Sequence, residues 1–397
     1  MTTGGLESGP QPSPPRGART PLWSVGVGLA AVLVGVQSLA ATTPFPQQVL
    51  MLLPSEGLLA GVGDGLRRGY GLAMEETLAC GVQPPSLGLG WLPPEQDPEA
   101  LLAGIPMPEL LIAPPAVNLL PFGRLAQSRG VNVLLPLQRG YSLQRLPSQV
   151  GADRLWPVLP TRSLEADRLA RGLLEDGNGK VMVIHDGGAE QAALADRFVE
   201  TIEGGGGWTV GPTNEPEAII NPEPELMDQL RDDVGWYNPA SLVVMTTPDS
   251  PLAQAVADLD LPENLTLVWP FPVRQPLPLA QLGVDSLSRG PGWDRFELVF
   301  EQRYGYPPGL VEAAGFDTGQ LVAVSSLAGE KTRSWSLDWL DPKAKPLDLC
   351  DALQARRAGK PVVLRGAASR LDLTPGTPPA GELRLTPLKA DPGASRT

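Results

Sequence analysis

One stretch near the middle of the chain restricts the possible folds more than any other. Residues 181–184 form a short, wholly apolar run, which is typical of a strand with helices packed on both of its faces. Apolar residues recur at helical spacing before this run, over residues 169–174, and after it, over residues 194–202. A helix–strand–helix order predicts a parallel sheet, and therefore an α/β fold.

The sequence also predicts where the helix before this strand begins and ends, and where the loop after the strand lies. Ser163 is a predicted N-cap, and Gly177 is predicted to end the helix. The loop at residues 185–190 then leaves the carboxyl end of a parallel strand, where open α/β sheets bind their ligands. We therefore look for function at this edge of the sheet.

The rest of the chain repeats the pattern in two series. Further apolar runs predict strands at residues 48–53, 86–92, 110–113, 131–135, 242–245 and 265–269. A crossing at Trp156 separates the two series, and a proline-rich passage from Trp269 suggests a return crossing. Helices are predicted at residues 293–304 and 314–327. Two α/β halves with several crossings predict a bilobed architecture with the ligand site between the lobes.

Charge and residue counts exclude several classes of function. The net charge of −13 would repel nucleic acid and anionic membrane surfaces. His185 is the only histidine, so there is no HExxH motif and no histidine cluster. The glycines at positions 57–69 lack the GxGxxG spacing, because Leu66 and Arg68 occupy the third glycine's place. No cofactor is expected, and these glycines indicate either a turn near a ligand or close helix packing.

The N-terminal residues resemble an export signal. Residues 1–40 combine Arg16 and Arg19, an apolar stretch and the small residues Ser38 and Ala40, which predicts a secretory signal cleaved after Ala40. The alternative is an uncleaved membrane anchor. Either reading predicts a periplasmic body, with contact to a membrane only through the leader.

Cys80 and Cys350 are the only cysteines of the chain. An oxidising compartment would permit a disulfide, but their separation in sequence does not give their distance in space. A bridge and two separate packed thiols both remain open.

Four segments resemble one known family. They are VLMLLPSEGLLAGVGDGLRRGYGLAME from Val49, RLARGLLEDGNGKVMVIHDGGAEQAALADRFVETIEGGGG from Arg168, RFELVFEQRYGYPPGLVEAAGFDTGQLVAVSSLA from Arg295, and LCDALQARRAGKPVVLRGAASRLDLTPG from Leu349. The family is that of the type I periplasmic binding proteins, branched-chain amino acid (leucine-binding) group.

The resemblance implies two lobes, each a parallel sheet with helices on both faces, joined by a multi-strand hinge. Lobe 1 would comprise residues 46–160 and 276–372, and lobe 2 residues 161–275 and 373–388. Residues 389–397 would be a disordered tail.

The resemblance also implies a ligand site on the strand-end loops of both lobes. The residues carried over are Ser55, Glu56, Asn118, Gln138, Arg139, Tyr141, His185, Asp186, Glu190, Thr247 and Asp249. Two positions depart from the family: APPAVN replaces a Gly-Pro-x-x-Ser pattern after the third strand, and Glu190 replaces a tyrosine. The identity of the ligand is therefore open, although a two-lobed trap is still expected.

Each candidate side chain also has an ordinary structural explanation. Asp186, Glu190 and Asp249 could make the cleft acidic, or could simply face water. Arg139 could hold a ligand carboxylate in a bidentate fork, or lie on the surface. His185 could contact the ligand, or satisfy nearby backbone groups.

The resulting expectation is a non-catalytic, exported solute-binding protein. It would trap a small polar ligand, amino-acid-like or related, for delivery to an ABC permease or another membrane protein. One alternative is a ligand-free interaction module of the cell envelope, resembling the penicillin-binding protein activators. A hydrolase with paired carboxylates is a further alternative, for which the sequence indicates no particular pair.

Overall fold

Two separate β-sheets organise the chain. The computed structural model describes residues 48–54, 59–93, 96–115, 118–328 and 335–391. The first sheet consists of β1 (Val49–Pro54), β2 (Leu87–Leu92), β3 (Leu110–Ile112), β4 (Asn132–Leu135) and β5 (Leu155–Pro157). All pairs are parallel, in the order β2-β1-β3-β4-β5. Between these strands lie α1 (Leu59–Ala79), α2 (Pro98–Leu101) and α3 (Leu119–Arg129), and 3₁₀ turns at Tyr141–Ser148 and Ala152–Arg154 precede β5.

The second sheet follows with its own helices. Its elements, in chain order, are α4 (Ser163–Glu175), β6 (Lys180–His185), α5 (Ala189–Gly204), β7 (Trp208–Thr209), β8 (Glu217–Ala218), α6 (Pro224–Tyr237), β9 (Ser241–Met245), α7 (Pro251–Asp258), β10 (Thr266–Trp269) and β11 (Ala280–Val284). These strands are parallel to one another.

The chain then returns to the first lobe before it ends in the second. The returning elements are α8 (Trp293–Tyr304), α9 (Leu310–Ser325), β12 (Pro346–Leu347), α10 (Leu349–Arg357) and β13 (Val363–Leu364). The last strand, β14 (Leu385–Leu388), pairs antiparallel with β11 and completes the sheet order β14-β11-β10-β9-β6-β7.

Helices cover both faces of each sheet. Along β1, Val49, Met51 and Leu53 belong to one buried cluster, whereas Leu50 and Leu52 belong to another. The residues of β6 likewise alternate between two clusters on opposite faces of the second sheet. The predicted α/β architecture of two parallel-sheet lobes is confirmed.

Two local predictions differ from the structure. The predicted boundary at residues 275/276 assigns β11 to lobe 1, but β11 pairs with β10 and extends the second sheet. β11 was not predicted because it directly follows the proline-rich passage and begins only after Leu279. Ser163 is the first helical residue of α4 rather than its N-cap, which is Arg162 and makes no side-chain capping bond.

The glycines after β1 pack α1 against α9. A Cβ atom at Gly69 would overlap the backbone of Glu312, and one at Gly315 would overlap the backbone of Leu66. Only glycine allows the two helix backbones to approach this closely. Of the two readings left open by the sequence, close helix packing therefore accounts for Gly69. α9 is buried on all sides from Ala313 to Ser325.

A disulfide joins Cys80 and Cys350, at the end of α1 and the start of α10. Their Cα atoms are 5.2 Å apart, within the usual range for a bridge. The bond connects the two segments of chain that build lobe 1. Of the two alternatives that the sequence leaves open, a bridge or two separate thiols, the structure shows the bridge.

Asp317 connects α9 to the loop that follows β13. Its side chain is fully buried, and its two oxygens accept hydrogen bonds from the backbone N–H groups of Ala367 (2.6 Å) and Ala368 (2.9 Å). Burial raises the pKa of Asp317 to about 7, an effect that these N–H groups partly offset.

This raised pKa makes stability depend on pH. Below about pH 3 the carboxyl is protonated in both folded and unfolded states. As the pH rises towards 7, the unfolded state ionises first, so the free energy of unfolding should fall by up to about 4 kcal/mol. Urea denaturation across this range measures the fall, and Asp317→Asn should lose it. Parallel pH curves for the two proteins would contradict the assignment.

Arg139 joins the crossings between the lobes. Its Nε donates to Pro160 O (3.0 Å) in the first crossing, and its Nη1 donates to Ser286 O (3.2 Å) in the second. Its Nη2 lies 3.1 Å from Oε1 of Glu165 in α4, whose side chain is 1% exposed. Burial lowers the pKa of Arg139, although Glu165 opposes that shift.

If Arg139 serves the hinge in this way, its loss should reduce stability. We expect Arg139→Ala to lower the free energy of unfolding by about 3 kcal/mol. The cost is at the lower end for a broken buried pair because Arg162 still contacts Glu165. The matched control is Arg197→Ala, since the more exposed pair of Arg197 with Asp167 should cost about 1 kcal/mol or less. Equal losses in urea denaturation would contradict this role.

Candidate functional site

Loops from the carboxyl edges of both sheets supply the candidate site. In lobe 1 they follow β3 and β4, and in lobe 2 they follow β6 and β9. The parallel order of each sheet brings its loops to one edge, as the sequence predicted. Ser55 and Glu56, which follow β1, lie outside the described residues.

Two of the lobe 1 candidates take part in local structure. Gln138 is buried, and its Nε2 donates to Pro114 O (3.1 Å), which ties the loop after β4 to the loop after β3. Asn118 is the N-cap of α3, and its Oδ1 accepts from the N–H of Leu120 (3.1 Å). Arg139 contacts the crossings as described above.

Glu190 bridges the two lobes. It lies in the first turn of α5, and its Oε2 accepts a hydrogen bond from the backbone N–H of Tyr141 in lobe 1 (2.6 Å). The absence of a side chain at Gly140 leaves room for this contact, because a Cβ there would lie 3.1 Å from the same oxygen. The N-terminal end of α5 favours the negative charge of Glu190. A carboxylate of lobe 2 thus accepts a hydrogen bond from a backbone N–H group of lobe 1.

The loop after β6 contacts the loop after β9 through Asp186. Its Oδ2 accepts from Thr246 Oγ1 (2.8 Å), and its Oδ1 accepts from the N–H of Gly188 (3.0 Å). Thr246 Oγ1 is also 2.6 Å from Ser250 Oγ, which caps α7. These bonds fix both loops of lobe 2.

His185 ends β6 and is half-buried. Its Nδ1 accepts a hydrogen bond from the N–H of Gly187 (3.1 Å), which requires Nδ1 to be unprotonated. Burial lowers the pKa of His185, and Asp186 opposes that shift. The neutral imidazole therefore carries its proton on Nε2, where it is a hydrogen-bond donor.

Thr247 and Asp249 are exposed, as is Asn118 in the same candidate set. Thr247 and Asp249 lie on the turn after β9, where the N–H of Ser250 donates to Thr247 O (3.1 Å). Their side chains face solvent and can contact a ligand without breaking any bond of the turn.

A groove of 1040 Å³ lies beside the contact between Glu190 and Tyr141. Tyr141 and Arg145 form its lobe 1 wall, with Cζ of Arg145 5.4 Å from the centre of the Tyr141 ring. Its other walls come from the first crossing, α4, α5 and Pro378–Ala380. Arg197 in this groove binds both oxygens of Asp167 (2.7 and 3.2 Å). The groove therefore touches both lobes and two crossings.

Glu165 and Ser250 shape the site but were not among the predicted residues. Glu165 lies in a helix among ordinary surface-type residues, and its partners are the nearby Arg162 and Arg139, which is distant in sequence. Thr246 belongs to the loop of residues 246–249 that the resemblance places at the site. Among the described residues, no group of three His, Cys, Asp or Glu side chains could hold a metal ion.

No protein-family model matches the sequence, and no curated protein matches it. Solved structures do resemble the fold. An ABC transporter substrate-binding protein from Desulfitobacterium hafniense in complex with leucine has a TM-score of 0.60 at 16% identity, covering 86% of this chain and 97% of its own. A solute-binding protein from R. palustris in complex with benzoate has a TM-score of 0.53 at 15% identity, with 86% and 92% covered.

A third solved structure carries the name of the fold. It is a periplasmic binding protein type 1 from Bordetella pertussis Tohama I, with a TM-score of 0.54 at 15% identity, covering 85% of this chain and 96% of its own. Each likeness covers 85–86% of this chain, and the identities are low. The chain therefore has the fold of the type I periplasmic binding proteins, the group that the sequence segments resemble.

Proposed function

We propose that this protein is an exported, non-catalytic solute-binding protein that closes its two lobes around a small polar ligand. The observation that carries the proposal is the meeting of loops from the carboxyl edges of both sheets, where Glu190 of lobe 2 contacts the backbone of Tyr141 in lobe 1. The ligand would be amino-acid-like or related and would be delivered to an ABC permease. The proposed location is the periplasm. Among the described residues, no helix is both long and apolar enough to cross a bilayer.

The contact of Glu190 suggests how a ligand would act. Leucine and benzoate, the ligands of two structural neighbours, both carry a carboxylate. In this chain the carboxylate of Glu190 already occupies the N–H of Tyr141, so a carboxylate ligand would compete for that donor. Ligand binding would then favour the arrangement of the two lobes in which the ligand makes more contacts with the protein. His185 Nε2, Thr247 and Asp249 are the groups that remain available on lobe 2.

A variant at Glu190 tests the contact between the lobes. Glu190→Ala removes a charge-assisted hydrogen bond worth about 1.5–3 kcal/mol, so the lobes should separate more often in the absence of ligand. Small-angle scattering should show a larger radius of gyration than for the unmodified protein.

The control is Glu200→Ala on the same helix. Glu200 pairs with Arg197 within lobe 2, and this substitution should leave the scattering unchanged. An unchanged profile for Glu190→Ala as well would show that the bond does not hold the lobes.

A second function is favoured by one observation. Gln138, Arg139, Asp186 and Glu190 all bond to other parts of the protein, which leaves few polar side chains for a solute. This arrangement suits an interaction module of the cell envelope that no longer binds a ligand and instead contacts a membrane-bound partner.

Native mass spectrometry of the purified protein separates the two functions. A solute-binding protein should carry a co-purified small molecule, or should be stabilised in a thermal-shift panel that includes leucine and benzoate. A ligand at roughly 100 times its dissociation constant stabilises by about 2.7 kcal/mol. A protein that retains no solute, shows no shift and co-purifies with a membrane protein would favour the interaction module.

A further inference from the structure

The end of lobe 2 opposite the candidate site carries two exposed tryptophans. Trp236 in α6 is 83% exposed, and Trp208 at the start of β7 is 53% exposed. Tryptophan side chains are buried to a high degree on average, and tryptophan is one of the residue types enriched at the energetic centres of protein interfaces.

Lys180 places the two tryptophans at the same edge of the second sheet. Lys180 begins β6 and pairs in register with Trp208. Its Nζ donates to Tyr237 O (2.6 Å), the residue next to Trp236. Both tryptophans therefore flank one lysine at the amino ends of the strands.

Trp236 also lines a groove. The groove has a volume of 550 Å³, and Leu261 and Pro262 of the loop before β10 form its apolar part. Gly235 leaves it open on the side of α6, since a Cβ there would meet nothing within 4 Å. We call Trp208, Trp236 and this groove the tryptophan surface.

The rim of the tryptophan surface is negative. Because helices and strands alternate, α4, α5, α6 and α7 all end at this edge, and none has a basic residue in its last turn. The helix ends add their own partial negative charge. Exposed acids at this edge are Glu175, Asp176, Glu203, Asp232, Asp258 and Glu263.

The basic side chains at this edge neutralise the rim only in part. Lys180 Nζ is bound to a backbone carbonyl, Arg231 pairs with Asp228 (2.8 Å) and Asp232 (3.1 Å), and Arg168 pairs with Glu175 (3.4 Å). The remaining rim acids, Asp176, Glu203, Asp258 and Glu263, repel one another, and a cationic partner would offset this repulsion.

We propose that the tryptophan surface binds a basic segment of another protein, with arginine or lysine side chains over the faces of Trp208 and Trp236. Cation–π contacts and the acidic rim both favour such a partner. A second copy of this chain would present the same negative rim and be repelled, as would anionic lipid. The surface faces away from the candidate site, so the proposal is independent of any ligand.

Fluorescence anisotropy with a labelled peptide of alternating arginine and alanine tests this inference. The double variant Trp208→Ala/Trp236→Ala keeps the charge of the protein but should weaken binding by about tenfold or more. The matched control is Trp91→Ala on β2 of lobe 1, because Trp91 is 54% exposed and should be dispensable. Equal affinities for the double variant and the unmodified protein would overturn the proposal.

Charge variants test the rim separately. Asp232→Asn/Glu263→Gln should weaken binding of the arginine peptide, whereas Glu109→Gln/Asp153→Asn removes two exposed charges of lobe 1 and should not. A peptide with glutamate in place of arginine should not bind. Binding of that peptide, or a dimer in sedimentation that Trp236→Ala dissolves, would assign the surface to a different occupant and overturn the proposal.

Discussion

The buried ion pair of Arg139 and Glu165 is the interaction on which the arrangement of the two sheets depends. Removing two charges from water is costly, and the cost is offset here by Arg162 and by two backbone carbonyls that accept from the guanidinium. These five groups come from the loop after β4, from α4 and from two crossings. Once they are bonded, the loop after β4 and the start of α4 are fixed against both crossings.

Each lobe is held together more firmly than the lobes are held to each other. In lobe 1, α9 is buried on all sides, and Asp317 and the glycines of α1 fix its position. Between the carboxyl-edge loops the structure instead shows a hydrogen bond from Tyr141 to Glu190. A bond of this kind contributes only a few kcal/mol, whereas a packed core resists deformation. The packed interior of each lobe is therefore more resistant to deformation than the contact between these loops.

Much of the fold could be predicted from the sequence because buried strands are short apolar runs. The runs at residues 181–184 and 242–245 fall within β6 and β9, and Gly177 ends α4 with a positive φ as expected. β11 was missed because Gln281 and a preceding series of prolines disguise a buried strand. The site was less predictable. Whether Arg139 faces a ligand or a hinge depends on Glu165 and Ser286, and local spacing does not reveal partners so distant in sequence.

The disulfide has a consequence for how the chain matures. Lobe 1 is built from an early and a late segment, with all of lobe 2 between them, and Cys80 and Cys350 are 270 residues apart. The bridge can therefore close only after the chain has been synthesised as far as α10. A product truncated before Cys350 would keep Cys80 as an unpaired thiol, with only the early segment of lobe 1 complete.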